Sequence, residues 1–251
     1  MQALLLVDRQ GKRHLVPSSE GPVTVEGLGV VDPRKLEGHI GGVARVAGKP
    51  FLVLLPTARD RMETALRRAQ TIGAKDAASI LLNCDINAGD VVVEGGAGSG
   101  ALTMLLAQGV SPGGRVVTYE IREDFAAFAE ENLRRSGAWG NVTVKRGDIR
   151  EGISEREVDC VLLDIPDPWA AVPAAWEALR PCGHFSAFVP NTEQVRETRK
   201  ALAGKPFVEV RTIELLEREI EVHEGGVRPS FAALGHMGYL TFARKVLETL
   251  A

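Results

Sequence analysis

Apolar and polar positions fall into two regimes along the chain. Over residues 1–56 the pattern is one of short β-type runs, at 3–7, 13–16, 23–25, 43–46 and 51–55. They are separated by Gly11, Gly21-Pro22, Asp32-Pro33, Gly41-Gly42 and Gly48. Runs this short, each closed by a turn signal, predict a small β-rich domain curled into a barrel or sheet. Pro56 and Thr57 then open a polar helical run at 59–68, so residues 57–75 read as a basic helical linker. Over 76–251 apolar strands alternate with helical runs: helix 77–84, strand 91–94, helix 101–108, strand 115–119, helix 123–136, strands 142–146 and 158–163, helix 170–179, strand 184–189 and helix 191–203. Such alternation predicts an α/β fold, a doubly wound, mainly parallel sheet with helices on both faces. Two last β-type runs, 208–216 and 238–243, predict an antiparallel hairpin on its edge.

The junction of strand 91–94 and helix 101–108 is the most informative stretch. Residues 91–100 read VVVEGGAGSG, so Gly96, Gly98 and Gly100 alternate after Glu94. Glycines allow a tight turn and let a ligand approach bare backbone. The following helix points N–H groups and its positive end at the same place. Strand 115–119 ends at Glu120, whose carboxylate is placed to accept from both hydroxyls of a ribose. A dinucleotide site carries G-x-G-x-x-G with a pyrophosphate at the helix start. Here the pattern is E-x-G-x-G-x-G, and a carboxylate before the turn repels a pyrophosphate but suits an ammonium. Glycines alone would be read as a turn that packs a helix on a strand. With both acids present, they predict a crevice for a nucleoside bearing an amino-acid moiety.

In such sheets ligands bind at the carboxyl ends of the strands. After strand 142–146 comes Gly147-Asp148-Ile149, where an acid can accept from an adenine amino group while the isoleucine covers the ring. After strand 158–163 comes Asp164-Ile165-Pro166-Asp167-Pro168-Trp169. Two prolines stiffen this loop, and Trp169 offers a stacking face. Asp167 before Pro168 is also a good helix start, a role that leaves Asp164 at the strand end for function.

Composition adds boundaries. With 45% apolar and 25% charged residues, the 251-residue chain has the makings of a sizeable core. No run approaches a membrane span, and the opening MQALLLVDRQGK meets an acid too early for a signal peptide. Cys84, Cys160 and Cys182 show no C-x-x-C spacing, so neither a metal site nor a disulfide framework is expected. The net charge of −3 is uneven: residues 1–75 hold 12 Lys+Arg against 7 Asp+Glu, a net of +5 that leaves −8 for the remainder. A basic front end suits a polyanion and equally a solvated surface.

The 94–102 segment resembles motif I of S-adenosylmethionine-dependent methyltransferases. Nearly the whole chain resembles the tRNA adenine-N1 methyltransferase family, which acts on the T-loop adenine at tRNA position 58. The resemblance rests on Lys75-Asp76-Ala77-Ala78, on 94–102, on Tyr119-Glu120-Ile121-Arg122, on the loop 163–169, on Pro190-Asn191-Thr192-Glu193-Gln194-Val195, and on Arg228-Pro229 with Gly235-His236-Met237-Gly238-Tyr239. It implies a Rossmann-like methyltransferase sheet, S-adenosylmethionine as cofactor, a tRNA substrate, a homotetramer and a cytoplasmic location. By resemblance, Glu94, Gly96, Gly98, Ser99, Gly100, Ala101 and Leu102 would hold the methionine moiety. Glu120, with Ile121 beside it, would hold the ribose, and Asp148, Ile149 and Phe125 the adenine. Gln70 would help close the pocket, and Asp164 would face both methyl donor and target adenine as the catalytic residue.

Some positions depart from the family pattern. Gly73-Ala74 stand where Tyr-Pro or His-Pro usually precede Lys-Asp, removing a ring expected to border the target base. Gly95 and Ala97 replace Ala and Thr, and Phe188 replaces a frequent Tyr. Two other functions share parts of this pattern: a protein carboxyl methyltransferase, which needs neither the front domain nor the D-x-P-x-P-W loop, and a noncatalytic tRNA-binding subunit. Arg9, Lys12, Arg13, Arg59, Arg61, Arg67 and Arg68 are the candidate phosphate contacts.

Overall fold

The computed structural model describes residues 3–68, 71–138, 140–231 and 236–248, and among them are fifteen strands, six α-helices and two single-turn 3-10 helices. The first stretch holds β1 (Leu4–Val7), β2 (Arg13–Val16), β3 (Val23–Val25), β4 (Gly29–Val31), β5 (Val43–Val46) and β6 (Lys49–Leu54). Then come α1 (Ala58–Glu63), α2 (Ala74–Asn83), β7 (Val91–Gly95), α3 (Ala101–Gly109), β8 (Arg115–Glu120), α4 (Glu123–Ser136) and β9 (Val142–Arg146). The chain continues through β10 (Val158–Leu163), α5 (Pro168–Ala178), β11 (Leu179–Val189), α6 (Thr192–Ala203), β12 (Phe207–Glu214), β13 (Ile220–His223), β14 (Gly226–Pro229) and β15 (Tyr239–Lys245). Two compact units result: Met1–Thr71 with Asn87–Gly147, and Ile72–Ile86 with Asp148–Ala251.

The first unit begins with an antiparallel sheet in the order β2-β1-β6-β5. Alternate residues of β5 and β6 face inward, and Leu4, Leu6, Val16, Val46, Phe51 and Val53 form its core with Val25, Val31 and Leu36. After α1 the same unit holds parallel pairs of β7 with β8 and β8 with β9, in a register that sets Glu94 opposite Thr118. Val92 and Val93 of β7 and Val116 and Val117 of β8 are buried, as expected where both faces of a strand are covered, whereas β9 is only partly buried.

In the second unit β10 pairs with β11 in parallel, whereas β15 is antiparallel to both β11 and β12. The expected antiparallel edge pair is therefore β12–β15, with the β13–β14 hairpin between them in sequence. Lys245, at the end of β15, is buried and donates from Nζ to the carbonyls of Trp176 at 2.7 Å and Leu179 at 2.5 Å, closing the C-terminal end of α5. The class is thus α/β and mainly parallel, with a small antiparallel front sheet.

Two of the expected elements change their bounds markedly. Helix 59–68 stops at Glu63, because the Leu66 N–H and C=O are bonded to the Asn132 side chain rather than to a next helical turn. Strand β11 begins at Leu179, not at residue 184. Register shifts from Val158↔Leu179 to Cys160↔His184, so Arg180, Pro181, Cys182 and Gly183 bulge out of the ladder. A Cβ at Gly183 would lie 2.9 Å from the Arg180 carbonyl, which is why the bulge closes on glycine.

Candidate functional site

In the first unit, β7 delivers Glu94 and β8 delivers Glu120 to neighbouring strand ends. Glu94 is buried, and Thr103 of α3 donates its hydroxyl to Glu94 Oε2 at 2.6 Å. This bond ties the strand end to the first turn of the helix. Between them Gly96, Gly98 and Gly100 adopt φ of 91°, 53° and 75°, in the left-handed region that side chains resist. Gly100 is the N-cap of α3 with no side-chain cap, so the first helical N–H groups face the turn without an intrahelical partner.

Glu120 is also buried, and both of its oxygens are taken by backbone. The Gly98 N–H donates to Oε2 at 3.2 Å and the Arg122 N–H to Oε1 at 3.0 Å. An ionised carboxylate has about four acceptor positions, so each oxygen can accept once more. The turn leaves room: a Cβ at Gly98 would meet nothing within 4 Å. The Ser99 hydroxyl is buried without a hydrogen-bond partner among the described residues. Ala101 and Leu102 are buried in the first turn of α3, whereas Ile121 is 61% exposed beside Glu120. Phe125 is buried, with the Arg122 guanidinium 3.4 Å from its ring centroid.

One residue of this unit escaped the sequence reading. Asn132 is buried on α4 and bonds to Ser99 and Leu66 at once: Nδ2 donates to both carbonyls at 2.9 Å, and Oδ1 accepts from the Leu66 N–H at 3.0 Å. A signal existed. Residues 125, 129, 132, 133 and 136 share one helical face, and a polar residue inside an apolar stripe asks for buried partners. Gln70, expected in the pocket, lies outside the described residues. Of the candidate phosphate contacts, Arg13 pairs with Asp60 at 2.6 Å and Glu63 at 3.2 Å, Arg59 pairs with Glu63, and Arg61 donates to the Ser136 carbonyl. Those three arginines serve the fold. Arg68 stacks over Phe128, while Arg9, Lys12 and Arg67 are exposed.

The second unit carries the remaining expected residues. Asp148 accepts from the Arg150 backbone N–H at 2.9 Å and from its guanidinium at 2.5–2.9 Å. Those bonds hold its carboxyl below the usual carboxylate range. Ile149 beside it is buried. Asp164 is half-buried at the end of β10. Its loop is held by Gln194, whose Nε2 donates to the Pro166 carbonyl at 2.6 Å. Asp167 occupies the N-cap of α5, but its side chain makes no capping bond and pairs with Arg150 at 2.6 Å. The expected cap is thus replaced by an ion pair.

The same unit explains the other quoted motifs. Asn191 caps α6 by accepting from the Gln194 N–H at 3.0 Å. His236 joins Glu214 Oε1 at 2.6 Å to the Pro190 carbonyl at 2.7 Å. Gly238 lies on Phe188, where a Cβ would come within 2.4 Å of the ring. Lys75 and Asp76 form a pair at 2.8 Å in the first turn of α2, with Asp76 fully buried. Among the described residues no group of three or more His, Cys, Asp or Glu is arranged to hold a metal, and no helix is long and apolar enough to cross a membrane.

Comparison with known proteins matches these features. The TrmI protein of Methanocaldococcus jannaschii, named tRNA (adenine(57)-N(1)/adenine(58)-N(1))-methyltransferase, is 38% identical over 98% of this chain and 96% of its own. TrmI of Thermus thermophilus, named tRNA (adenine(58)-N(1))-methyltransferase, is 36% identical over 96% of each. A SAM-dependent O-methyltransferase from Thermotoga maritima superposes with a TM-score of 0.85 at 34% identity, covering 100% of this chain and 95% of that one. TrmI from Aquifex aeolicus gives 0.78 at 25%, covering 99% and 98%. Likeness of this extent identifies the fold as the Rossmann-like methyltransferase sheet with its small front domain. The model of the tRNA methyltransferase complex GCD14 subunit matches residues 51–228, and the chain belongs to that family of tRNA methyltransferases.

Proposed function

We propose that this protein is an S-adenosylmethionine-dependent methyltransferase acting on N1 of an adenine in the tRNA T-loop, at position 58. The observation that carries this reading is the glycine turn set between Glu94 and Glu120, with both Glu120 oxygens oriented by the N–H groups of Gly98 and Arg122. The name and near-full-length identity of the Methanocaldococcus relative support the same activity.

The residues fit the cofactor. Space above Gly98, the uncapped start of α3, the unpartnered Ser99 hydroxyl and the exposed Ile121 are features a bound nucleoside would use. Gly96, Gly98, Ser99, Gly100, Ala101 and Leu102 would surround the methionine part, with Glu94 toward its ammonium. Glu120 and Ile121 would take the ribose, and Asp148, Ile149 and Phe125 the adenine, with Gln70 closing the pocket. When bound, the cofactor supplies an electrophilic sulfonium methyl. Asp164 accepts from the exocyclic amino group of the target adenine, which orients N1 and stabilises positive charge developing on that ring. N1 attacks with its own lone pair, so alignment rather than a general base contributes most of the acceleration.

The target base is turned out of its stack to reach this place. Residues 1–56 and the basic linker 57–75 serve RNA contact in this reading, with Arg9, Lys12, Arg67 and Arg68 on phosphates, while 76–251 carry catalysis. A homotetramer is part of the proposal. Its support is the β13–β14 hairpin, where Ile220, Val222 and Val227 are exposed on two strands that are marginal alone. A cytoplasmic location is part of the same proposal.

Mass mapping of methylated nucleosides in a tRNA transcript tests the reading. 1-Methyladenosine at position 58 is the expected product, and its absence with a competent transcript overturns the assignment. The doubly named Methanocaldococcus relative favours a second product at the neighbouring adenine, which the same map reads directly.

A further inference from the structure

Arg150 lies in none of the motifs quoted above, yet it joins two parts of the second unit that the proposed chemistry needs together. Its Nε lies 2.8 and 2.9 Å from the two Asp148 oxygens, and Nη2 lies 2.5 Å from Asp148 Oδ2. Its Nη1 donates to Asp167 Oδ2 at 2.6 Å. One planar guanidinium thus grips the acid assigned to the cofactor adenine and the acid that ends the Asp164 loop. The loop is short and contains Pro166, so fixing Asp167 limits where Asp164 can stand. Gln194 pins the middle of the same loop through the Pro166 carbonyl.

A purely structural role explains this poorly. Ion pairs as exposed as these stabilise a fold little, and Asp167 gives up the capping bond that its position offers. The alternative use of the carboxylate is orientation. A fork-shaped guanidinium holds two partners at defined angles, which an ammonium does not.

We infer that Arg150 is a positioning residue that sets Asp148 and the Asp164 loop in one arrangement, so the adenine end of the cofactor site and the substrate-facing carboxylate are organised together. The inference rests on the methyltransferase reading above. Through Arg150, cofactor bound against Asp148 favours the loop arrangement in which Asp164 meets the target adenine, and the dependence is reciprocal.

Arg150→Ala, Arg150→Lys and Asp167→Asn separate the two grips, with cofactor affinity read by calorimetry and methyl transfer by single turnover at saturating cofactor. Asn is itself a good N-cap, so Asp167→Asn spares α5. Changes along such a link are worth roughly three- to thirtyfold. Arg150→Ala is expected to weaken cofactor binding and slow transfer by that much each, with Arg150→Lys recovering affinity more than rate. Asp167→Asn is expected to slow transfer several-fold while affinity stays within about twofold, because it removes the charge from the loop grip and leaves the Asp148 grip intact. Normal transfer in Asp167→Asn overturns the inference, as does an Arg150→Ala protein that loses thermal stability alone. A wild-type protein that binds no cofactor overturns instead the reading on which the inference rests.

Discussion

Asn132 carries the backbone of Leu66 on both ends of its side-chain amide. Oδ1 accepts the Leu66 N–H at 3.0 Å, and Nδ2 donates to the Leu66 carbonyl at 2.9 Å and to the Ser99 carbonyl at the same distance. One buried amide on α4 thereby binds the end of the α1 segment to the glycine turn.

Removing that amide strands three backbone groups. Each buried unsatisfied group costs about 1–3 kcal/mol, part of which water recovers where the site opens. Asn132→Ala is therefore expected to lower stability by roughly 2–4 kcal/mol and to weaken S-adenosylmethionine binding through the loosened Ser99. Asn132→Asp retains the acceptor for Leu66 but offers neither carbonyl a donor. Denaturant melts and calorimetry on both variants check this. A fully stable alanine variant would show that Leu66 needs no partner here.

Gly98 and Gly100 look alike in sequence but should fail differently. Both have positive φ, so alanine at either costs roughly 1–2 kcal/mol of backbone strain. At Gly100 the new Cβ also lies 3.3 Å from the Ala129 carbonyl, whereas at Gly98 it enters open space. Gly100→Ala is expected to show the larger drop in melting temperature. Gly98→Ala is expected to keep most of its stability and lose cofactor affinity. Equal affinity losses at matched stability would mean that the space above Gly98 is not used by a ligand.

Positions that impose a backbone demand were legible along the chain, and positions that act across it were not. Glu94, the three glycines and Glu120 stand at element ends, where strand, turn and helix patterns locate them without knowledge of tertiary structure. Asn132 and Leu66 are 66 positions apart, and Asp167 and Arg150 are 17 apart. Their pairing follows from packing that no local pattern records. That packing also cut short helix 59–68. Strands β13 and β14 went unseen for a different reason: nearly every residue is exposed, so no buried face imposes an alternation. In β11 residues 180–183 fell outside the expected strand because a bulge uses Pro and Gly, residues that also end strands.

His236 predicts a pH dependence. Glu214 Oε1 and the Pro190 carbonyl are both acceptors, so both contacts are hydrogen bonds only when both ring nitrogens carry hydrogens, as in the imidazolium. The bond to Glu214, then that to Pro190, raise its pKa above 6.5, against the nearby charge of Lys75. A pKa raised on folding adds stability that is complete below the unfolded value and disappears as pH climbs through the folded one. The melting-temperature gap between wild type and His236→Ala is thus expected to be widest below about pH 6.5, the unperturbed value, and to close toward alkaline pH. A gap that widens with pH would contradict the charged latch.

Asp164 offers the decisive comparison between architecture and chemistry. It ends β10 half-buried, on a loop held by Gln194 at Pro166 and by Arg150 at Asp167. Because those two contacts come from other residues, the loop does not depend on Asp164 alone for its shape. Asp164→Ala is accordingly expected to fold and to bind cofactor. If the carboxylate orients the adenine amino group, its loss slows methyl transfer by on the order of a hundredfold or more, the scale for one preorganised electrostatic partner. Asp164→Asn keeps an acceptor but no charge, and is expected to fall between alanine and wild type. Single-turnover transfer to a tRNA transcript, with melting curves alongside, separates the cases. Near-normal transfer with depressed melting temperatures in both variants would make Asp164 a structural carboxylate and leave the orientation of N1 to another group.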